Sequence, residues 1–145
     1  MNLSNFPERL SELIFESGTN AAKLSLELGY GNATISRYLT GRSLPTVEAA
    51  VRLADYFQCS VDYLLGLVEE NHTRSFKACP PFGQNLMFLC NYYQISRYRL
   101  QQMTHISESV MRYWVRNKTQ PSIVNVVRIA EALNCSVDFV LGREC

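Results

Sequence analysis

The segment AAKLSLELGYGNATISRYLTG, residues 21–41, decides the fold of this 145-residue chain. Apolar residues recur in it at helical spacing, and Asn20 just before it is a good N-cap for a short helix that runs through Leu28. Gly29 then ends this helix, since glycine tolerates a left-handed backbone. A second helix follows and ends before Gly41. The pattern therefore predicts two short helices joined by a tight turn.

The same pattern returns when the chain is compared with itself at a shift of 76 positions. Residues 6–66 then match residues 82–142 without a gap, and CSVDYLLG near the end of the first copy faces CSVDFVLG in the second. One helix is expected before the motif and two after it, with Thr46 and Ser60 as N-caps, so each copy should hold five helices. The expected N-caps of the second copy are Ser96, Ser107, Ser122 and Ser136.

Two turn glycines of the first copy are replaced in the second copy. His105 stands at the place of Gly29, and Asn117 stands at the place of Gly41. After glycine, asparagine and histidine are among the residues that most readily enter positive φ. The turns are therefore expected to survive in the second copy, at some cost in free energy.

The repeat sets the domain organisation. It predicts an N-terminal domain over residues 1–68, a linker over residues 69–81 and a C-terminal domain over residues 82–145. The linker is polar and ends in Pro80-Pro81, which disfavours a continuous helix. Phe76 within the linker is able to pack on either domain, so the linker should be semi-rigid. The predicted fold class is all-α, with two tandem five-helix domains.

The composition fits a soluble globular protein, because 47% of the residues are hydrophobic and no apolar run reaches the roughly 18 residues of a membrane span. The N-terminus lacks the basic start and apolar core of a signal peptide, so a cytoplasmic location is expected. The five cysteines are odd in number and show no C-x-x-C spacing, which favours buried thiols over disulfides or zinc ligands. His72 and His105 lack ligand-like neighbours, so no metal site is expected.

The charge is divided unevenly along the chain, although the net charge is only +1. Residues 1–70 hold five basic and nine acidic residues, a net charge of −4. Residues 71–145 hold nine basic and four acidic residues, a net charge of +5. The positive field that attracts a nucleic acid therefore belongs to the second copy.

The quoted segment resembles the helix-turn-helix of the Cro/lambda-repressor (XRE) family. The small Ser25, the turn residue Gly29, the core residue Ile35 and the terminal Gly41 fall where that family has them, and the resemblance covers the whole first copy. It implies a lambda-repressor-like fold for each domain. It also implies that the helix after the turn, the reading helix, enters the major groove of DNA. Ala21 replaces the glutamine usual in the family, so one DNA contact should be missing.

In the first copy, the resemblance implies base contacts by the reading helix and phosphate contacts around it. Asparagine is able to pair with adenine, arginine with guanine and serine with either type of group, while alanine is able to touch a thymine methyl. The implied base readers are Asn32, Ala33, Ser36 and Arg37, and the implied phosphate contacts are Asn20, Lys23, Gly31 and Arg42.

The second copy resembles the family less closely. Gln101 stands where the family has a small residue, and Trp114 stands at the buried place of Tyr38. Glu108 is suited to accept a hydrogen bond from a cytosine amine, but it would repel phosphates if misplaced. The residues that the resemblance places at the DNA are Arg97, Arg99, Ser107, Glu108, Ser109, Arg112, Tyr113, Arg116 and Lys118.

The leading hypothesis is a repressor-like transcriptional regulator of a bacterium or phage, with double-stranded DNA as its partner. Two half-sites need two reading helices, so the chain would act as a homodimer or as an intrachain pseudo-dimer. The alternative is a protein-interaction or dimerisation module that kept the fold and lost most DNA binding, which the acidic first domain favours. An enzyme is disfavoured, since the sequence shows no paired carboxylates, no nucleophile with its base and no glycine-rich phosphate loop. No cofactor and no small-molecule ligand are expected.

Overall fold

A computed structural model describes residues 3–71 and 75–144 of the chain, except for the side chain of Asn32. These residues form ten α-helices. Their β-structure is limited to an isolated antiparallel bridge between Phe76 and Glu144. The prediction of an all-α chain is therefore confirmed.

The chain divides into two compact units, Asn2–Thr73 and Arg74–Cys145, with five helices in each. Every helix of the second unit begins 76 residues after its counterpart in the first, which is the shift that relates the two copies in the sequence. The first unit contains α1 (Phe6–Glu16), α2 (Ala21–Leu28), α3 (Asn32–Leu39), α4 (Val47–Phe57) and α5 (Val61–Leu64). The second unit contains α6 (Phe82–Tyr92), α7 (Arg97–Thr104), α8 (Glu108–Val115), α9 (Ile123–Leu133) and α10 (Val137–Leu141).

The helices begin at the predicted N-caps. The side-chain oxygen of Asn20 accepts a hydrogen bond from the backbone N–H of Lys23 at 2.9 Å, and Thr46 and Ser60 cap α4 and α5 in the same way. Each cap satisfies an N–H group that the helix itself leaves unpaired, so the starts of these helices are fixed by local sequence. The same geometry is present in the second unit at Ser96, Ser107, Ser122 and Ser136.

The turns of the two motifs share a left-handed backbone although their residues differ. Gly29 has a φ of 73° and Gly41 a φ of 74° in the first unit. In the second unit, His105 has a φ of 60° and Asn117 a φ of 57°. The prediction that histidine and asparagine replace the turn glycines without loss of the turn is confirmed.

The two cores are built around aromatic pairs at equivalent places. The ring centroids of Phe6 and Tyr38 lie 5.9 Å apart, and those of Phe82 and Trp114 lie 5.4 Å apart. All four rings are buried, so Trp114 does take the place of Tyr38. Burial, and to a smaller degree the neighbouring Tyr30, raises the pKa of the Tyr38 hydroxyl above its ordinary value.

Gly83 makes room for the bulkier pair in the second unit. A Cβ atom on Gly83 would lie 2.2 Å from the carbonyl oxygen of Trp114 and 2.8 Å from the Cα of Val115. Real Cβ atoms do not approach backbone atoms so closely, so α6 contacts α8 at this point only because residue 83 has no side chain. The equivalent residue of the first unit is Pro7.

A buried polar side chain of the first helix plays the same part in both units. The Arg9 guanidinium donates to the carbonyl oxygens of Tyr63 and Val68, while the Asn85 amide donates to the equivalent carbonyl of Phe139. Arg9 and Asn85 occupy equivalent positions, and both are buried. Each therefore adds a side-chain hydrogen bond to a carbonyl group at the C-terminal end of the short last helix.

A buried ion pair holds the C-terminal end of the second unit. Arg143 Nη1 lies 2.7 Å from Asp138 Oδ1, and both side chains are 1% exposed. The Arg143 guanidinium also lies 3.9 Å from the ring centroid of Phe76, and its carbonyl accepts a hydrogen bond from the Lys77 N–H at 2.8 Å. Residues 76–77, which the sequence places in the linker, therefore pack on the second unit.

The prediction of buried thiols is confirmed for two cysteines and wrong for one. Cys59 and Cys90 are buried, Cys135 is half-buried, and Cys79 is exposed because it lies in the extended segment that precedes α6. Cys145 lies outside the described residues.

No group of three or more His, Cys, Asp or Glu side chains among the described residues is placed to hold a metal ion; His72 lies outside the described residues. None of the described helices is long and apolar enough to cross a membrane.

Candidate nucleic-acid interface

The outer face of α3 presents three of the predicted base readers together. Ala33, Ser36 and Arg37 are exposed, whereas Ile35 and Tyr38 of the same helix are buried. Positions three and four apart share one face of an α-helix, so the three exposed residues form a single row. Asn32 is the first residue of α3, and its side chain lies outside the described part of the structure.

The packing of α2 on α3 fixes the direction of the reading helix in the first unit. Ser25 is fully buried, and its hydroxyl donates to the carbonyl of Ala21 at 2.8 Å. Gly31 is the N-cap of α3, with no atom within 4 Å of the position of its missing Cβ. The backbone at Gly31 is therefore open to close approach by a phosphate, as the resemblance to the repressor family implies.

The phosphate contacts predicted around α3 lie at both ends of the motif. Asn20 and Lys23 are exposed at the start of α2, and the Asn20 side-chain oxygen is used by its cap. Arg42 is exposed beyond the end of α3, and its N–H donates to the carbonyl of Arg37 at 2.9 Å. A helix of eight residues is about 12 Å long, so Arg42 is suited to a backbone contact away from the base readers.

Three predicted residues of the second unit form one ion-pair cluster. Glu108 Oε1 lies 3.8 Å from Arg97 Nη1, and Glu108 Oε2 lies 3.5 Å from Arg112 Nη1. The three side chains are 34–45% exposed. One carboxylate thus faces two guanidinium groups, with one oxygen for each, and the cluster carries a net charge of +1.

The cluster also brings two helix starts together. Arg97 is the first residue of α7, and Glu108 is the first residue of α8. The positive ends of both helix dipoles therefore lie at the same place, which is where a helix-turn-helix meets the DNA backbone. The equivalent residues in the first unit are Ala21, Asn32 and Ser36, which carry no charge.

This geometry bears on the role that the sequence suggests for Glu108. The Glu108 carboxylate already forms ion pairs with two arginines, so it is less available to accept a hydrogen bond from a cytosine amine. The same contact lowers the positive charge that Arg97 and Arg112 offer to phosphates. The cluster is absent from the sequence-based prediction because Arg97 and Glu108 are eleven residues apart, and only the turn between α7 and α8 brings them together.

The remaining predicted contacts of the second unit are exposed along and around α8. Ser107 caps α8 through the Val110 N–H at 3.3 Å, and Gln101 is half-buried where the first unit has the buried Ser25. The N–H of Lys118 donates to the carbonyl of Tyr113 at 2.8 Å, as Arg42 does to Arg37. The exposed predicted residues are Arg99, Ser107, Ser109, Arg112, Tyr113, Arg116 and Lys118.

Basic residues recur at equivalent exposed positions on either side of the reading helix. Lys23 and Arg99 lie in the first turn of α2 and α7, and Arg42 and Lys118 lie three residues beyond α3 and α8. The 76-residue shift that relates the two copies in the sequence makes these basic positions equivalent. Arg52 and Arg128 are a third equivalent pair of basic residues, on α4 and α9, but Arg52 is half-buried and its guanidinium lies 5.0 Å from the ring centroid of Tyr30.

The geometry agrees with the comparisons with known proteins. A helix-turn-helix family matches residues 12–64, and the Cro/C1-type helix-turn-helix DNA-binding domain matches residues 85–144. These matches confirm the resemblance inferred from the sequence, including the second copy. No curated protein and no solved structure matches the chain.

Proposed function

We propose that this chain, which matches a helix-turn-helix family over residues 12–64 and the Cro/C1-type helix-turn-helix DNA-binding domain over residues 85–144, is a repressor-like transcriptional regulator that binds double-stranded DNA sequence-specifically. The families that it matches are typically non-enzymatic DNA-binding regulators. The observation that carries the proposal is the placement of charge. Both copies keep an exposed cation at each end of the motif, Lys23 with Arg42 and Arg99 with Lys118.

We propose that α3 reads bases and that these cations hold the backbone. Phosphate contacts set the register of a protein on the duplex, and base contacts select the sequence. Ser36 and Arg37 lie on the exposed row of α3. Arg37 is the one charged residue of that helix. The first unit is therefore suited to selecting a sequence, although its net charge is negative.

The second unit is suited to a different task in the same complex. The cluster of Glu108, Arg97 and Arg112 lies at the start of its reading helix, α8. Two further basic residues, Arg116 and Lys118, follow the end of that helix. The charge of this unit favours binding to any duplex through phosphates. We propose that the second unit supplies affinity and the first unit supplies most of the sequence preference.

The test is selection of bound duplexes from a random pool by the full chain, read out by sequencing. Enrichment of a defined site supports sequence-specific binding, and the same selection with Arg37→Ala should relax the preference at one or two base pairs. A matched variant, Arg116→Ala, should lower the affinity for every duplex and leave the selected sequence unchanged. A pool that stays random with the wild-type chain contradicts the proposal.

A second candidate function is that of an interaction module with little DNA binding. The net charge of −4 in residues 1–70 favours it. Binding of random duplex across a salt series separates the two, because a phosphate-bound complex weakens steeply as salt rises. Absence of any salt-dependent binding favours the interaction module.

A further inference from the structure

The turn between α2 and α3 has one side chain with which to contact the rest of the first unit. Three residues, Gly29, Tyr30 and Gly31, lie between the two helices, and neither glycine has an atom within 4 Å of the position of its missing Cβ. The N–H of Tyr30 donates to the carbonyl of Ser25 at 2.9 Å, which fixes the backbone of Tyr30 at the end of α2. The position of the turn, and with it the start of α3, therefore depends on what the Tyr30 ring contacts.

Arg52 of α4 lies against this ring. Its guanidinium carbon is 5.0 Å from the ring centroid of Tyr30, within the range of a cation–π contact, and both residues are half-buried. The Tyr30 hydroxyl is buried and has no hydrogen-bond partner among the described residues. The face of the ring, and not its hydroxyl, therefore provides the contact with α4.

A second contact between α2 and α4 lies one helical turn further along α4. The Tyr56 side chain forms a hydrogen bond with Glu27, near the C-terminal end of α2, and this bond raises the pKa of the Tyr56 hydroxyl above its ordinary value. Arg52 and Tyr56 are four residues apart, so they lie on one face of α4. That face therefore contacts both the end of α2 and the turn that follows it.

The second unit has no equivalent of these polar contacts. The counterparts of Glu27, Tyr30, Arg52 and Tyr56 are Met103, Ile106, Arg128 and Ala132. Ile106 is 5% exposed, so an apolar contact buries this turn, and Arg128 is exposed. The backbones of α7 and α9 also pack more closely than those of α2 and α4. The fold therefore forms without a cation–π contact at this place, and the contact belongs to the unit whose reading helix carries the proposed base readers.

We propose that Arg52 is a positioning residue for base reading: through Tyr30 it holds the turn at which α3 begins, and thereby the direction in which Ser36 and Arg37 meet the bases. The inference rests on the proposed function, in which the first unit selects the sequence. A base contact requires its groups within about 0.5 Å of the productive geometry, whereas phosphate contacts carry no sequence information. Loss of Arg52 should therefore weaken binding to the selected site more than binding to random duplex. The loss is bounded by the strength of one cation–π contact, about twofold to fivefold in an equilibrium constant.

The test compares Arg52→Met with Arg128→Met in the full chain, by competition titrations on the selected site and on random duplex. The two variants lose the same charge from equivalent positions, but only the first loses a contact with a tyrosine ring. Arg52→Met should lower the ratio of selected to random affinity about threefold to fivefold, with the salt dependence of Arg128→Met. Arg128→Met should leave this ratio within about 1.5-fold. Arg52→Lys keeps a cation over the ring and should restore most of the ratio.

Variants of Tyr30 test whether Arg52 acts through the ring. Tyr30→Ile installs the residue of the second unit and should give the same loss as Arg52→Met, and the double variant should lose no more than either single variant. Tyr30→Phe keeps the ring and should bind as the wild type does. Losses that multiply in the double variant overturn the proposal. Equal losses on both duplexes, with a salt dependence lower by about one counterion, would assign Arg52 to a phosphate and also overturn it.

Hydrogen exchange of the free chain distinguishes failure of this inference from failure of the proposed function. Arg52→Met should accelerate exchange of the amides of α2 and α3 about threefold to fivefold and leave those of α1 unchanged. Equal acceleration throughout the first unit would show only a general loss of stability, and no acceleration in α3 would show that Arg52 does not hold the turn; either result overturns the proposal. A wild-type pool that stays random contradicts the proposed function, and the exchange rates, which do not depend on DNA, still decide whether Arg52 holds the turn.

Discussion

Replacement of Glu108 by glutamine tests how the second unit meets DNA. The substitution keeps the size of the side chain and removes its charge. Glu108 lies 3.8 Å from a nitrogen of Arg97 and 3.5 Å from a nitrogen of Arg112. All three side chains are part-exposed, so the ion pairs themselves contribute at most about 1 kcal/mol to folding. The variant should therefore fold normally, and its effect should appear in DNA binding.

The expected size of the effect follows from Coulomb's law. A carboxylate about 6 Å from a phosphate is repelled by about 0.7 kcal/mol in the dielectric of water, and more strongly near a protein surface. Glu108→Gln removes this repulsion and frees both guanidinium groups for phosphates. Affinity for random duplex at low salt should rise about threefold to tenfold, and the salt dependence should steepen by up to about one counterion.

Fluorescence anisotropy with a labelled random duplex, from low to moderate salt, measures both quantities. Glu131→Gln on α9 is the matched control, since it changes the net charge of the same unit equally from an exposed position outside the motif. It should raise affinity by less than about twofold, because screening weakens distant charges. If Glu108→Gln leaves the affinity for random duplex unchanged and weakens binding only to the selected site, then Glu108 contacts a base, and its proposed role in neutralising the two arginines is wrong.

Three further predictions concern the first reading helix and the packing of the second unit. Arg37→Ala should weaken binding to the selected site by about 1–3 kcal/mol and binding to random duplex by less; equal losses in paired titrations would assign Arg37 to phosphate. Gly83→Ala should destabilise by about 1–3 kcal/mol in urea unfolding, because its Cβ would meet the α8 backbone, whereas Gly31→Ser should be neutral or stabilising by a few tenths. Arg143→Met should cost about 3–5 kcal/mol in the same assay by stranding a buried carboxylate, and a loss below 1 kcal/mol would show that Asp138 is satisfied without it.

The parts of the fold that the sequence predicts are those set by local rules. An N-cap needs a short polar side chain at one position, and a left-handed turn needs a residue that tolerates positive φ. Both requirements are visible at Asn20 and Gly29, and the 76-residue shift carries them to Ser96 and His105. The place of Trp114 follows from the same shift, because the core position that it fills is defined by its counterpart Tyr38.

The parts that the sequence does not predict depend on contacts between distant residues. The pattern of charges does not show that Arg9 and Arg143 are buried, since basic residues are usually solvated. The Tyr63 carbonyl that Arg9 contacts lies 54 residues away, and the Phe76 ring that packs on the Arg143 guanidinium also comes from a distant part of the sequence. For the candidate site, the sequence predicts which residues lie on the reading helices. It does not show that Glu108 forms ion pairs with both Arg97 and Arg112.

The two copies show which features the fold requires and which serve a particular function. Both copies have N-caps, left-handed turns, buried aromatic pairs and basic residues beside the motif at equivalent positions. This is expected if the two copies share one fold and bind the same kind of ligand. The reading rows and the outer faces of α1 and α6 differ: Arg37 is matched by Tyr113, and Glu12 is matched by Phe88. A pseudo-dimer that reads two equal half-sites needs similar reading rows, which this chain lacks. The proposed division, in which the first unit selects the sequence and the second unit binds the phosphate backbone, fits the difference between the two reading rows.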